Sequence, residues 1–136
     1  SMAASFAVPE VTLGTICGAG GTQRLPRLIG ETRAKEMIFT GREITAETAR
    51  EWGLVNGVFT AGSLLEETLN LAEEIARNSP YAVTRAKRSI NGGREMLLEE
   101  ALEWERSLFG ECGESRDRKE GMTAFLEKRP RVFTGE

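Results

Sequence analysis

VPEVTLGTICGAGGTQRL, residues 8–25, is the stretch from which the chain is read. A single carboxylate, Glu10, follows Pro9 and precedes a short apolar run. Gly18, Gly20 and Gly21 then fall within four positions, ahead of a polar helix start with Thr22 as its N-cap. The spacing fails the dinucleotide fingerprint, because Gln23 stands where the last glycine belongs, and no Gly-Lys-Ser/Thr follows to make a phosphate loop. Two readings of the glycines stay open. They form a tight turn into a helix, or they let a ligand approach backbone amides that favour developing negative charge. Glu10 is equally divided. It is either a solvated loop carboxylate or a general acid/base held in a partly dry site.

Composition narrows the chemistry. The chain has 136 residues, 40% hydrophobic and 29% charged, which fits one small globular domain. A net charge of −3 argues against bulk attraction to nucleic acid or to an anionic membrane. No apolar run approaches the roughly 20 residues needed to span a bilayer, and no secretory leader is visible, so export is not expected. Two cysteines, Cys17 and Cys112, fit a reducing compartment better than a disulfide scaffold. Histidine is absent, which excludes Ser-His and Cys-His mechanisms within the chain and removes the commonest transition-metal ligand, so no metal site is expected.

Periodicity places the elements. Residues 1–17 read as short extended segments, and a helix from Thr22, limited by Pro26, closes at Gly30. Ala34, Met37 and Ile38 have helical spacing up to Gly41, and Thr45 caps a third helix that places Ala46, Ala49 and Trp52 on one face. Leu54–Phe59 reads as a short strand interrupted by Asn56-Gly57. Ser63 with Glu66 forms a full capping box for a helix over 64–77, and Pro80 suits the first turn of the next helix. Two more helices follow, one carrying Met96 to Phe109 and one over 115–128, with an extended tail from Pro130. Residues 1–60 thus mix strands and helices, whereas 61–136 are helical up to that tail. Arg85, Lys87, Arg88 and Arg94 read as a solvated basic face, and the mixed run Arg116–Glu120 as mutual pairing on a helix surface.

Certain strings carry more than spacing. Pro9-Glu10-Val11-x-Leu13-Gly14-x-Ile16-x-Gly18-Ala19-Gly20-Gly21-Thr22-Gln23-Arg24-Leu25 closely resembles the enoyl-CoA hydratase (crotonase) family. The resemblance continues through Ala34-Lys35-Glu36-Met37-Ile38-Phe39-Thr40-Gly41 and Ala49-x-x-Trp52-Gly53-Leu54-Val55, and resumes in Arg118-Lys119-Glu120-Gly121-Met122-x-Ala124-Phe125-Leu126-Glu127-Lys128-Arg129.

It implies an α/β, crotonase-like fold of which this chain is the C-terminal portion. Residues 1–60 would complete the spiral core with edge strands and helices. Residues 61–136 would form an all-helical oligomerisation region that builds homotrimers or hexamers. It implies hydration of trans-2-enoyl-CoA thioesters, with Glu10 as the catalytic acid that protonates the α-carbon and the Gly18 amide against the reacting water. Phe109, Phe125 and Lys128 fall on C-terminal positions that would line the CoA site, in part that of a neighbouring subunit. The substrate would be an acyl-CoA, with no cofactor expected beyond the CoA it carries, and no nucleic-acid or membrane partner. The compartment would be cytoplasm or mitochondrial matrix.

The family's first glutamate and both oxyanion amides would lie upstream of Ser1, leaving these residues inactive alone. Cys17 departs from the family, which has proline there, and would loosen the turn slightly. Enoyl-CoA isomerase, acyl-CoA hydrolase and a non-catalytic oligomerisation module are the alternatives.

Overall fold

A computed structural model describes residues 1–136, which divide into two compact units, Ser1–Thr68 and Leu69–Glu136. The division falls inside a helix, later than the change of texture at residue 60.

In the first unit, strand β1 (Ser5–Phe6) pairs antiparallel with β2 (Ile44–Thr45), Ser5 opposite Thr45 and Phe6 opposite Ile44. These are all the strands there are, so the edge of the expected α/β sheet is a two-residue ladder. Helix α1 (Gly21–Ile29) has Gly20 rather than Thr22 as its N-cap, runs through Pro26, and ends where the Gly30 amide donates to the Pro26 carbonyl. Proline is tolerated here because the missing N–H removes one bond from a short, exposed helix. Helix α2 (Glu31–Thr40) packs on α1 and buries Ala34, Met37 and Ile38, as their spacing requires. Helix α3 (Ala46–Glu51) starts with the Thr45 hydroxyl accepting from the Thr48 amide at 3.2 Å and buries Ala46 and Ala49. With Ile29 and Cys17 these residues make the core of this unit.

Two expectations fail here. Leu54–Phe59 is not a strand: the amides of Leu54 and Val55 both donate back to the Ala49 carbonyl, which wraps the segment around the end of α3. Residues 8–17 are not extended either. A 3-10 helix occupies Glu10–Leu13, and the apolar Leu13 and Ile16 are 81% and 70% exposed.

Helix α4 (Leu64–Ala76) buries none of its residues, and Leu65, Leu69, Leu71 and Ile75 stay open. Its capping box does not form. The Ser63 hydroxyl is taken by Thr60 Oγ1 at 2.8 Å, and Thr60 supplies the acceptor for the Ser63 amide.

In the second unit, α5 (Pro80–Gly93) starts at Ser79, whose hydroxyl accepts from the Ala82 amide, with Pro80 at its first position. It packs along α6 (Leu98–Glu114), which contributes the buried Leu108. The supposed solvated basic face is in part an interhelical contact. Arg85 Nε donates to Glu111 at 3.1 Å, and its guanidinium lies 3.5 Å from the centre of the Tyr81 ring. Trp104 Nε1 donates to the Arg88 carbonyl under the Arg88 guanidinium, half-buried. Helix α7 (Arg116–Glu127) is capped by Ser115, packs on α6 and buries Ala124 and Asp117. An irregular tail follows from Lys128. No helix is long and apolar enough to cross a membrane.

Candidate active site

Glu10 opens the 3-10 helix that sits against the end of α2. The seat is tight. A Cβ on Gly41, whose φ is +61°, would lie 3.0 Å from the Thr12 methyl and 3.2 Å from the Pro9 Cα. Only glycine therefore lets α2 end flush under the segment that carries the acid. The Thr12 hydroxyl and amide both bond to the Pro9 carbonyl, and the Thr15 amide reaches back to the Glu10 carbonyl, which closes the loop on itself. Glu10 is half-buried, and its Oε2 is shielded from water with no hydrogen-bond partner. A carboxylate oxygen placed this way is costly unless a ligand serves it.

Downstream, Ala19 (φ +52°) and Gly20 (φ +85°) adopt successive left-handed conformations. The amides of Gly18, Ala19 and Gly20 donate to nothing within the chain, while the Gly18 carbonyl accepts from Gly21. Successive amides without an internal acceptor, at the start of a helix, suit negative charge. Gly18 is exposed, and a Cβ there would meet nothing within 4 Å, so its backbone is open to approach. Beneath it, Cys17 is buried with its Sγ 3.0 Å from where a Gly21 Cβ would stand. The cysteine fills the turn from inside.

The other three candidate residues belong to the second unit. Phe125 and Lys128 line one cleft of about 780 Å3. Phe109 does not join them: it is 76% exposed and lines a separate cleft of about 350 Å3 between α5 and α6. Lys128 sits at the end of α7 with a left-handed φ of +54° and makes no ion pair. Its neighbour Arg129 is committed, gripping Glu120 through both terminal nitrogens at 2.7 and 2.8 Å and Glu127 through Nε. The Arg129 guanidinium and the Val132 amide hold the Glu120 carboxyl down at about 2, against a smaller upward push from burial.

Asp117 was hidden in its charged run and is the most heavily bonded acid here. It accepts from the Ser79 hydroxyl at 2.6 Å, from the Thr134 amide at 2.8 Å and from the Gly135 amide at 3.1 Å. Burial pushes its carboxyl up, but these donors outweigh burial and leave it below the ordinary carboxylate range. No group of three or more Cys, Asp or Glu side chains is arranged to hold a metal ion.

The comparisons with known proteins bear on both units. The fold is crotonase-like: the crystal structure of enoyl-CoA hydratase from Bacillus anthracis superposes with a TM-score of 0.95 at 47% identity, covering 99% of this chain and 52% of that one. The chain belongs to the enoyl-CoA hydratase/isomerase family, whose model matches residues 1–136. Among relatives, mitochondrial enoyl-CoA hydratase of Pongo abelii is 48% identical over 130 residues, 96% of this chain and 45% of that protein. The 2,3-dehydroadipyl-CoA hydratase of Escherichia coli K12 is 45% identical over 132 residues, 97% of this chain and 52% of that protein. The chain thus spans about half the length of these relatives.

Proposed function

We propose that these residues form the C-terminal portion of an enoyl-CoA hydratase and carry one side of its active site. Water adds across the double bond of a trans-2-enoyl-CoA: hydroxide goes to the β-carbon and a proton to the α-carbon, while the thioester oxygen takes charge in passing. Glu10 delivers the α-proton, and the Gly18 amide holds the water. The observation that carries this reading is the shielded Glu10 oxygen with no internal partner, in a chain whose named relatives are hydratases. An acid bonded to its own protein would be a poor proton donor; this one is uncommitted.

Phe125 and Lys128, with Phe109 in its separate cleft, hold the CoA end of the substrate, which brings no further cofactor. The chain works as a homotrimer or hexamer in cytoplasm or mitochondrial matrix. Glu10 alone cannot both activate water and supply the proton, so the 136 residues by themselves lack turnover.

The test uses crotonyl-CoA and the loss of enoyl-thioester absorbance. The chain alone should be inert. A chimera joining the upstream half of the E. coli relative to residues 1–136 should hydrate crotonyl-CoA, and Glu10→Gln in it should lower kcat by about 10²–10⁴. Full turnover with Gln at position 10 would overturn the assignment. The family name includes isomerases, and shift of a 3-enoyl-CoA double bond faster than hydration would favour that chemistry instead.

A further inference from the structure

The cleft holding Phe125 and Lys128 has a second wall. Pro130, Arg131 and Phe133 line it from the C-terminal tail. Arg131 has no acid partner: its Nη2 donates to the neutral Asn78 Oδ1 at 2.8 Å, and its guanidinium lies 5.7 Å from the centre of the Phe133 ring. Phe133 is laid flush on α7, its ring 3.4 Å from where a Gly121 Cβ would stand. The cleft therefore carries two cations without an acid partner, Lys128 and Arg131, and two aromatic rings, Phe125 and Phe133. A phosphate beside a flat base answers both features.

An irregular tail does not stay in one place unaided. Here two helix-borne carboxylates hold it by its amides. Glu120 accepts from Val132 at 2.9 Å, and Asp117 accepts from Thr134 and Gly135 while its own amide donates to the Glu136 carbonyl. Asp117 also receives the Ser79 hydroxyl that caps α5, so one side chain ties the tail to two helices.

We propose that the tail is a ligand-binding wall of this cleft, in which Arg131 contacts the phosphates of the CoA nucleotide and Asp117 is the positioning residue that holds Arg131 and Phe133 in place. This rests on the CoA reading of the cleft. Asp117 touches no ligand; it acts through the tail.

The test titrates the full 136-residue chain with CoA, and with pantetheine as a probe lacking the nucleotide, following assigned NMR signals. CoA should shift Phe125, Lys128, Arg131 and Phe133 together, and pantetheine should leave Arg131 and Phe133 unmoved. Arg131→Ala should weaken CoA about tenfold, the worth of one charge-assisted bond, with Arg131→Lys recovering part. Asp117→Asn should weaken CoA by a similar factor, and the double variant should be no weaker than the worse single one, because both act through one contact. Additive losses, or CoA shifts at Phe125 and Lys128 with the tail silent, would overturn the inference while leaving the CoA cleft standing. No shift anywhere in the cleft would remove the CoA reading and this inference with it. If Asp117→Asn fails to fold, the Arg131 pair and the tail shifts still decide.

Discussion

A single methyl group measures how closely the glycine turn is built. On Gly21 it would stand 3.0 Å from the Cys17 Sγ and 3.1 Å from its Cβ, both buried. Gly21→Ala should therefore lower stability to urea by about 1–3 kcal/mol, the usual cost of overfilling a packed site. Adding Cys17→Ala should return part of that loss. Recovery in the double variant shows that the clash, and not backbone entropy, is responsible. Residue by residue, the sequence exposed its chemistry unevenly. Glu10 and Gly18 drew their expected roles from the family strings, because a lone acid and clustered glycines by themselves left two readings open. Asp117 did not, because in Arg116-Asp117-Arg118-Lys119-Glu120 nothing local separates a buried acid from a solvated one. Its partners Ser79, Thr134 and Gly135 are distant in sequence, and only the fold brings them to it.

At the scale of elements, the helices were legible wherever a stop signal met an apolar period. Gly30, Gly41 and Pro80 mark real ends, and Ala34, Met37 and Ile38 are buried as their spacing demands. Short elements escaped. The 3-10 helix over Glu10–Leu13 is one turn long, too brief for any period to show. Leu54–Phe59 has the composition of a strand, but the Leu54 and Val55 amides turn back to Ala49 and only the Phe59 carbonyl takes a bond from another segment, the Met2 amide. The caps separate in the same way. Thr45 caps α3 as read, whereas Ser63 lost its role to Thr60, three residues upstream. Thr45→Ala should accordingly cost about 1 kcal/mol in chemical denaturation. Ser63→Ala, by comparison, should cost less, since Thr60 retains the acceptor that serves the Ser63 amide.

For the molecule as a whole, acid is the informative variable. Glu120 sits at about 2 against an ordinary 4.5, and Asp117 is also lowered. A carboxyl depressed in the folded state binds protons later than it does unfolded, so its stabilisation is present at neutral pH and lost as pH falls. The melting temperature of the chain should drop between about pH 4.5 and 2, and Glu120→Gln should flatten that decline as well as lowering the neutral-pH value. The family strings named the architecture because they run the length of the chain, but no pattern announced how thin the interior is. The residues buried in the second unit are few, Leu108 and Ala124 beside Ser79, Ser115 and Asp117, while Phe109, Phe125, Leu97, Leu98 and Leu126 are all 74% exposed or more. Greasy patches on that scale are kept apart in water chiefly by like charge. With an isoelectric point near 5.3, a purified sample taken to that acidity would lose its electrostatic guard before its latched tail let go, and would cloud while still folded.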